Sequence, residues 1–269
     1  MHMKKFAFAL LLIAAFAAAR VTVLEPIQAS LDSDGVLDLG SIGPGQRLEI
    51  VVDRASGFAG KEVEALWDRI VVDAATLPQG WSKEDAKLYE SPLRAFVSAA
   101  RDAKDGEYRF DFNAFDEYEG APTSTIHCKV MVSKDLLELG LGETRLLAGV
   151  RKPALFHFVL KNKSSASDSF ELSAKGLPGE WKETKTVFMP YRSQKIVTYS
   201  VVSQEAGEFD LEFTAKSISS DATNRAAKAR LTAQTDLYLD MQATSHGILL
   251  FPSVQQAVYA LFGLVTNLK

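Results

Sequence analysis

The chain has 269 residues, 47% of them hydrophobic and 24% charged, a globular balance with length for two ordinary domains. Its formal net charge of −4 argues against nucleic acid as a partner, because such partners are held by a basic face. Its single cysteine, Cys128, cannot form an internal disulfide.

Residues 1–19 have the pattern of a cleaved export signal. Lys4 and Lys5 precede the apolar run Phe6 to Ala19, which is short for a bilayer span and ends in small residues. An uncleaved N-terminal anchor is the alternative. Losing the two lysines takes the formal charge to −6, so the mature protein is more acidic.

A first unit is expected over residues 20–143. "QRLEIVVDR" (Gln46 to Arg54) and "RIVVDAA" (Arg69 to Ala75) alternate with a period of two, the mark of half-buried strands. Between them, "GKEVEALWDR" (Gly60 to Arg69) reads as a short helical turn or a bulged strand. "TLPQGW" then closes at Trp81: Pro78 and Gly80 form a turn, and the indole begins the next strand with a large ring to bury. "KDGEYRFDF" (Lys104 to Phe112) starts another strand after a tight turn, with Tyr108 where many sandwiches carry a corner tyrosine.

The acidic stretch that follows has two readings. Asp111, Asn113, Asp116, Glu117 and Glu119 supply the hard oxygen ligands that calcium prefers. Their spacing does not match an EF-hand, and Asp111 and Asn113 also fit the outward side of a strand that contains Phe110 and Phe112. The next alternating stretch, "TIHCKVMVSKD" (Thr125 to Asp135), makes Cys128 a small residue in a strand.

The junction is expected in Gly140 to Val150, and the second unit over residues 144–240. It repeats the first. "PALFHFVLKN" (Pro153 to Asn162) resembles Gln46 to Arg54, and "SFELSAK" (Ser169 to Lys175) aligns with Arg69 to Ala75 at a separation of 100 residues. "GLPGEW" repeats the Leu-Pro-x-x-Trp word and closes at Trp181. "EAGEFDLEF" (Glu205 to Phe213) places Phe209 at the position of Tyr108, and "AAKARLTAQTD" (Ala226 to Asp236) resembles Thr125 to Asp135. Many short strands separated by Gly, Pro, Ser and Asp give an all-β fold of two tandem sandwiches, with Trp81, Trp181, Tyr108 and Phe209 as structural aromatics. Asn162 opens an Asn-Lys-Ser glycosylation sequon in a turn-like loop that reads as exposed.

Residues 241–269 form an apolar tail. Ser253 is placed to cap a helix in which Val254, Val258, Leu261, Val265 and Leu268 share one face. About 14 residues at about 1.5 Å each fall short of a bilayer. Docking on its own sandwich, association with another subunit, and membrane association through residues 248–269 remain open.

Units with "LPxxW", an alternating strand and then "GxYxF" resemble the Ig-like modules known as alpha-galactosidase-associated domains. The second unit carries the resemblance through "LFHFVLKNKSSASDSFELSAKGLPGEW" and "AGEFDLEFTAK", and the first through Leu77 to Trp81 and Gly106 to Phe110. The resemblance implies two tandem Ig-like domains of an exported protein, non-catalytic and often beside a membrane anchor.

Nothing in the sequence has the spacing of a catalytic or metal centre. There is no HExxH, CxxC or GxSxG motif and no phosphate-cradling glycine loop. His157 alternates with Phe156 and Phe158, so it points outward from a strand. The reading is an exported, extracellular or cell-surface protein without cofactor or enzymatic activity, its partner a protein or an envelope component. A carbohydrate-binding module, with Trp67, Tyr89 and Tyr191 as exposed aromatics, or an accessory subunit of a surface enzyme complex, is the alternative.

Overall fold

The computed structural model describes residues 20–59, 64–116, 124–177 and 183–235. The proposed signal, Glu117, Glu119, Trp181 and the apolar tail, with Val254 to Leu268, lie outside these residues. The described residues contain strands and turns and no helix, an all-β protein.

The first eleven strands are β1 (Val21–Glu25), β2 (Ala29–Leu31), β3 (Gly35–Ile42), β4 (Arg47–Val52), β5 (Ala55–Ala59), β6 (Glu64–Leu66), β7 (Arg69–Val72), β8 (Ser82–Glu84), β9 (Leu93–Ser98), β10 (Gly106–Phe115) and β11 (Ser124–Val132). One sheet runs β2-β1-β4-β9-β8 and the other β3-β11-β10-β7, with β5–β6 as a separate hairpin. Among the described pairings of this set, β3 with β11 is the parallel one. Alternation along each strand turns Val21, Leu48, Ile50, Leu93, Ala95 and Val97 of one sheet toward Leu37, Ile70, Phe110, Phe112, Ile126 and Val130 of the other.

The second set is β12 (Leu137–Leu141), β13 (Arg145–Gly149), β14 (Pro153–Asn162), β15 (Asp168–Lys175), β16 (Thr184–Met189), β17 (Gln194–Val202), β18 (Gly207–Ser217) and β19 (Asn224–Gln234). Its sheets run β12-β14-β17 and β13-β19-β18-β15-β16, with β13 parallel to β19. Phe213 is the hub of its core: the rings of Phe156 and Phe158 each lie 4.8 Å from it, and Tyr199 meets it edge-on at 5.7 Å.

Both strand orders are of the immunoglobulin type. β1-β4-β9-β8 takes the places of strands A, B, E and D, and β7-β10-β11 those of C, F and G. In the second set β12-β14-β17 is A-B-E, and β15-β18-β19 is C-F-G. β4 and β14, β7 and β15, β10 and β18, and β11 and β19 therefore hold matching places, and these pairs contain the four repeated segments.

Two local readings need correction, and one open alternative is resolved. The core changes over before Gly140 to Val150, because β12 pairs with β14 and Leu137 is buried in the second core. A division at 143/144 would separate β12 from the sheet that buries it; the link between the cores is the stretch 133–136. Within Gly60 to Arg69, residues 64–66 form strand β6, the strand alternative of the two readings, with an irregular register against β5. Trp67 is not an exposed aromatic: it is 1% exposed and its indole N–H donates to the Arg20 carbonyl at 2.9 Å.

The Leu-Pro-x-x-Trp word also leads to different places in its two copies. In the first, Trp81 N–H donates to the Pro78 carbonyl and Gly80 has φ +80°, the left-handed value that this turn position requires. β8 then joins the sheet of β9. After the second copy, β16 pairs instead with β15, in the opposite sheet. The edge of β7 needs no such strand: Asp85 accepts the Val72 N–H at 2.9 Å, and Lys83 donates to the Val72 carbonyl at 2.5 Å.

Removing the hub ring tests the second core. Phe213→Ala is expected to cost about 3–5 kcal/mol in urea unfolding, the range for deleting a buried phenylalanine. An unchanged midpoint would contradict the packing described here.

Candidate functional site: two poles and an elbow

The link between the cores spans only residues 133–136, so the sandwiches meet directly. Asp135 in this link is held by Arg225 and Lys163; its contact with Arg225, then the charge of Lys163, keeps its carboxyl below the usual range. The first sandwich offers the corner between β3 and β4. The second offers its β14–β15 and β18–β19 loops, which at one end of variable Ig domains form the binding surface.

The contact is buried and polar. Gln46, 1% exposed, accepts from the Gly43 N–H at 2.7 Å and the Ser164 hydroxyl at 2.6 Å through Oε1. Its Nε2 donates to Asp168 Oδ2 at 2.7 Å. The Ser165 N–H donates to the Ser41 carbonyl at 2.7 Å, and Ala166 is buried in the first core. Beside this contact is a cleft of about 220 Å³ lined by Glu25, Arg47, Glu49 and Phe96 from one side and Ser165 and Tyr191 from the other. Arg47 lies over the Phe96 ring at 3.9 Å and is paired with Glu84 at 2.5 Å.

The outer pole of the first sandwich is different. The β4–β7 connection and the β8–β9 turn meet there, with the Tyr89 N–H donating to the Asp68 carbonyl at 2.9 Å. Leu66, Leu88 and Tyr89 are exposed by 42%, 46% and 52%. Arg54 lies beneath the Tyr89 ring and pairs with the buried Asp68 at 3.2 Å. Residue 20, where the described chain begins, is at this pole. At the far pole of the second sandwich, where β19 ends, the Val150 N–H donates to the Gln234 carbonyl.

The sequence-derived candidates are distributed as follows. Trp81 is 8% exposed, with Tyr108 and Phe110 at 5.3 and 6.4 Å. Tyr108 donates from its hydroxyl to the Lys104 carbonyl at 3.0 Å, the bond of a tyrosine corner. Phe209 packs on the second core, its ring 3.2 Å from where a Cβ on Gly207 would lie. Of the calcium candidates, Asp111 pairs with His127 at 2.8 Å and Asn113 accepts from Thr125 at 2.7 Å, both on the outward side of β10. Asp116 ends the described part of this stretch. Among the described residues no group of three or more His, Cys, Asp or Glu side chains could hold a metal. His157 points outward and pairs with Glu143 at 3.0 Å; the His157 backbone N–H, donating to the same carboxyl, is the main cause holding Glu143 below its usual range. The three aromatics of the carbohydrate reading share no face: Trp67 is in the first core, Tyr89 at the outer pole and Tyr191 in the elbow cleft.

Asn162 corrects another expectation. It is 1% exposed, its amide donates to the Ala166 and Pro190 carbonyls at 3.0 Å each, and its Oδ1 accepts from the Ser164 N–H. The sequon loop is turn-like, as its composition suggests, but the side chain is spent holding the loop that meets the first sandwich. A glycan has no room there.

No protein-family model matches the chain, and no curated protein sequence matches it. Solved structures similar to it include fibronectin(III)-like modules of CbhA from Clostridium thermocellum, at 11% identity and a TM-score of 0.28 over 80% of this chain and 94% of that one. A chimeric titin Z1Z2 is similar at 12% identity and a TM-score of 0.36, over 81% and 98%. A protocadherin gammaB7 EC3-6 cis-dimer is similar at 13% identity and a TM-score of 0.28, over 76% of this chain and 47% of that one.

Two tests follow from these side chains. Burial, with a smaller contribution from Asp111, pushes the Cys128 thiol well above its ordinary value. The folded protein is expected to be silent to a thiol reagent at pH 8 and to react with one equivalent once unfolded. Expressed in a host that N-glycosylates, the folded protein is expected to carry no glycan on Asn162 by peptide mapping. Asn162→Ala should cost roughly 1–3 kcal/mol for each buried partner left unpaired.

Proposed function

We propose that the chain is an exported, surface- or envelope-associated interaction protein: an arm of two Ig-like domains without catalytic activity. The observation that carries this reading is the opposition of its two ends. The described chain starts at a pole with exposed Leu66, Leu88 and Tyr89, and β19 ends at the opposite pole, from which the apolar residues 241–269 continue. Each sandwich is roughly 35 Å long at about 3.3 Å per strand residue, so the arm holds the two ends well apart. In this reading the signal is removed after about residue 19, the tail associates with the envelope or a second protein, and the outer pole meets a protein partner. The family reading, modules similar to the alpha-galactosidase-associated domains, rests on the Leu-Pro-x-x-Trp and Gly-Glu-aromatic words of the sequence. The sequence supports export through its Lys4-Lys5 start and apolar run, and tail association through the Val254 to Leu268 stripe.

Cys128 being buried makes a direct experiment available. Leu88→Cys in the full chain is expected to react with a membrane-impermeant maleimide on intact cells, while the parent protein stays unlabelled. The labelled protein should begin near residue 20 by N-terminal sequencing. Deleting residues 248–269 should release it into the soluble fraction. Labelling that appears only after lysis would reject export, and unchanged fractionation of the truncated protein would reject the tail as the point of association.

A further inference from the structure

We infer that the two sandwiches form one folding and mechanical unit, locked by Asp168 of the second through Gln46 of the first. The inference does not depend on export or on any partner.

The repeat itself singles out Asp168. One hundred residues earlier, at the matching entry to strand C, stands Asp68. Both are buried, at 4% and 5% exposure. Asp68 is paired within its own sandwich, by Arg54 at 3.2 Å. Asp168 accepts from the Ser169 N–H at 2.8 Å, the Ser217 hydroxyl at 2.6 Å and the Ser219 hydroxyl at 2.7 Å, and its remaining donor comes from the other sandwich, Gln46 at 2.7 Å. Separating the two would therefore strip a donor from a buried carboxylate. It would also leave the Gln46 amide without two of its partners and lift Ala166 out of the first core.

Two glycines make the approach close enough. A Cβ on Gly40 would lie 2.4 Å from the Ser165 hydroxyl, and one on Gly45 would lie 2.2 Å from the Ser219 carbonyl. Both glycines have positive φ, at +77° and +75°, so the corner is shaped for contact and not merely tolerant of it. The four-residue link at 133–136 adds little freedom, with Asp135 already tied to the second sandwich.

The test uses the full chain. Calorimetry of the parent protein is expected to give a single unfolding transition whose calorimetric and van't Hoff enthalpies agree. Asp168→Ala and Gln46→Ala, changed on opposite sides of the elbow, should each split it into two. The double variant should shift the lower transition hardly further than either single one, since both remove the same link. Spin labels on Val36→Cys and Ile196→Cys, at positions 63% and 70% exposed, should give one narrow distance in the parent and a broad distribution with Asp168→Ala. Two independent transitions or a broad distance distribution in the parent would overturn the inference, whether or not either alanine variant folds.

Discussion

A carboxylate taken out of water costs several kcal/mol unless hydrogen bonds replace its hydration, and Asp168 has these from four neutral donors. Three belong to its own sandwich, which places the β18–β19 loop against the start of β15. The fourth, the Gln46 amide, belongs to the other sandwich and ties the two together. The order is hierarchical. Ser217 and Ser219 shape the loop around Asp168, the shaped loop meets the β3–β4 corner, and that meeting buries Gln46, Ser164 and Ala166 in turn. Among the described residues the sandwiches are joined by Gln46, Ser164, Ser165 and Asp168 together with Ala166, so their relative placement rests largely on buried polar groups.

The two sandwiches share a frame and differ at their edges. Strands B, C, F and G come from repeated segments because the alternation that buries one face is the same in both. After the Leu-Pro-x-x-Trp word the chain is free to choose a sheet, and local side chains decide. In the first copy Lys83 and Asp85 satisfy the Val72 backbone directly and the Ala86 N–H donates to the Ile70 carbonyl, so the edge of β7 is covered there without a paired strand. In the second copy Thr184 to Met189 pairs with β15 along six residues, and Lys185 reaches the Thr198 carbonyl of the facing sheet. Equivalent sequence words thus set equivalent turns without setting equivalent partners.

Period-two alternation made the strands legible, and the repeat made their correspondence legible, down to Tyr108 and Phe209 after their glycines. What the sequence hides is contact between the units. "NKSSASD" has the composition of a solvated loop, yet Asn162, Ser164 and Ser165 are all buried: Asn162 bonds within its own sandwich, and Ser164 and Ser165 meet Gln46 and Ser41, more than a hundred residues away. Trp67 was unreadable for a related reason. Its flanks are an irregular segment without alternation, and its cover includes the backbone of Arg20, which no local pattern links to it. The shift of the junction has the same origin: "LLELGL" alternates weakly, and only its pairing with β14 assigns it to the second core.

The pairing of Asp68 with Arg54 gives the two loop-bearing ends different fates. An Ig-type sandwich presents its B–C and F–G loops at one end, and here the second sandwich has used that end up inside the elbow. At the matching end of the first sandwich the buried aspartate is already paired with its own arginine. Among the described residues of that end, Leu66, Leu88 and Tyr89 stand out above the Arg54–Asp68 pair. The contact that Asp168 makes with Gln46 therefore has no counterpart at Asp68 among the described residues. The two matching aspartates thus do different work: Asp68 closes a charge within one sandwich, and Asp168 takes its fourth donor from the other.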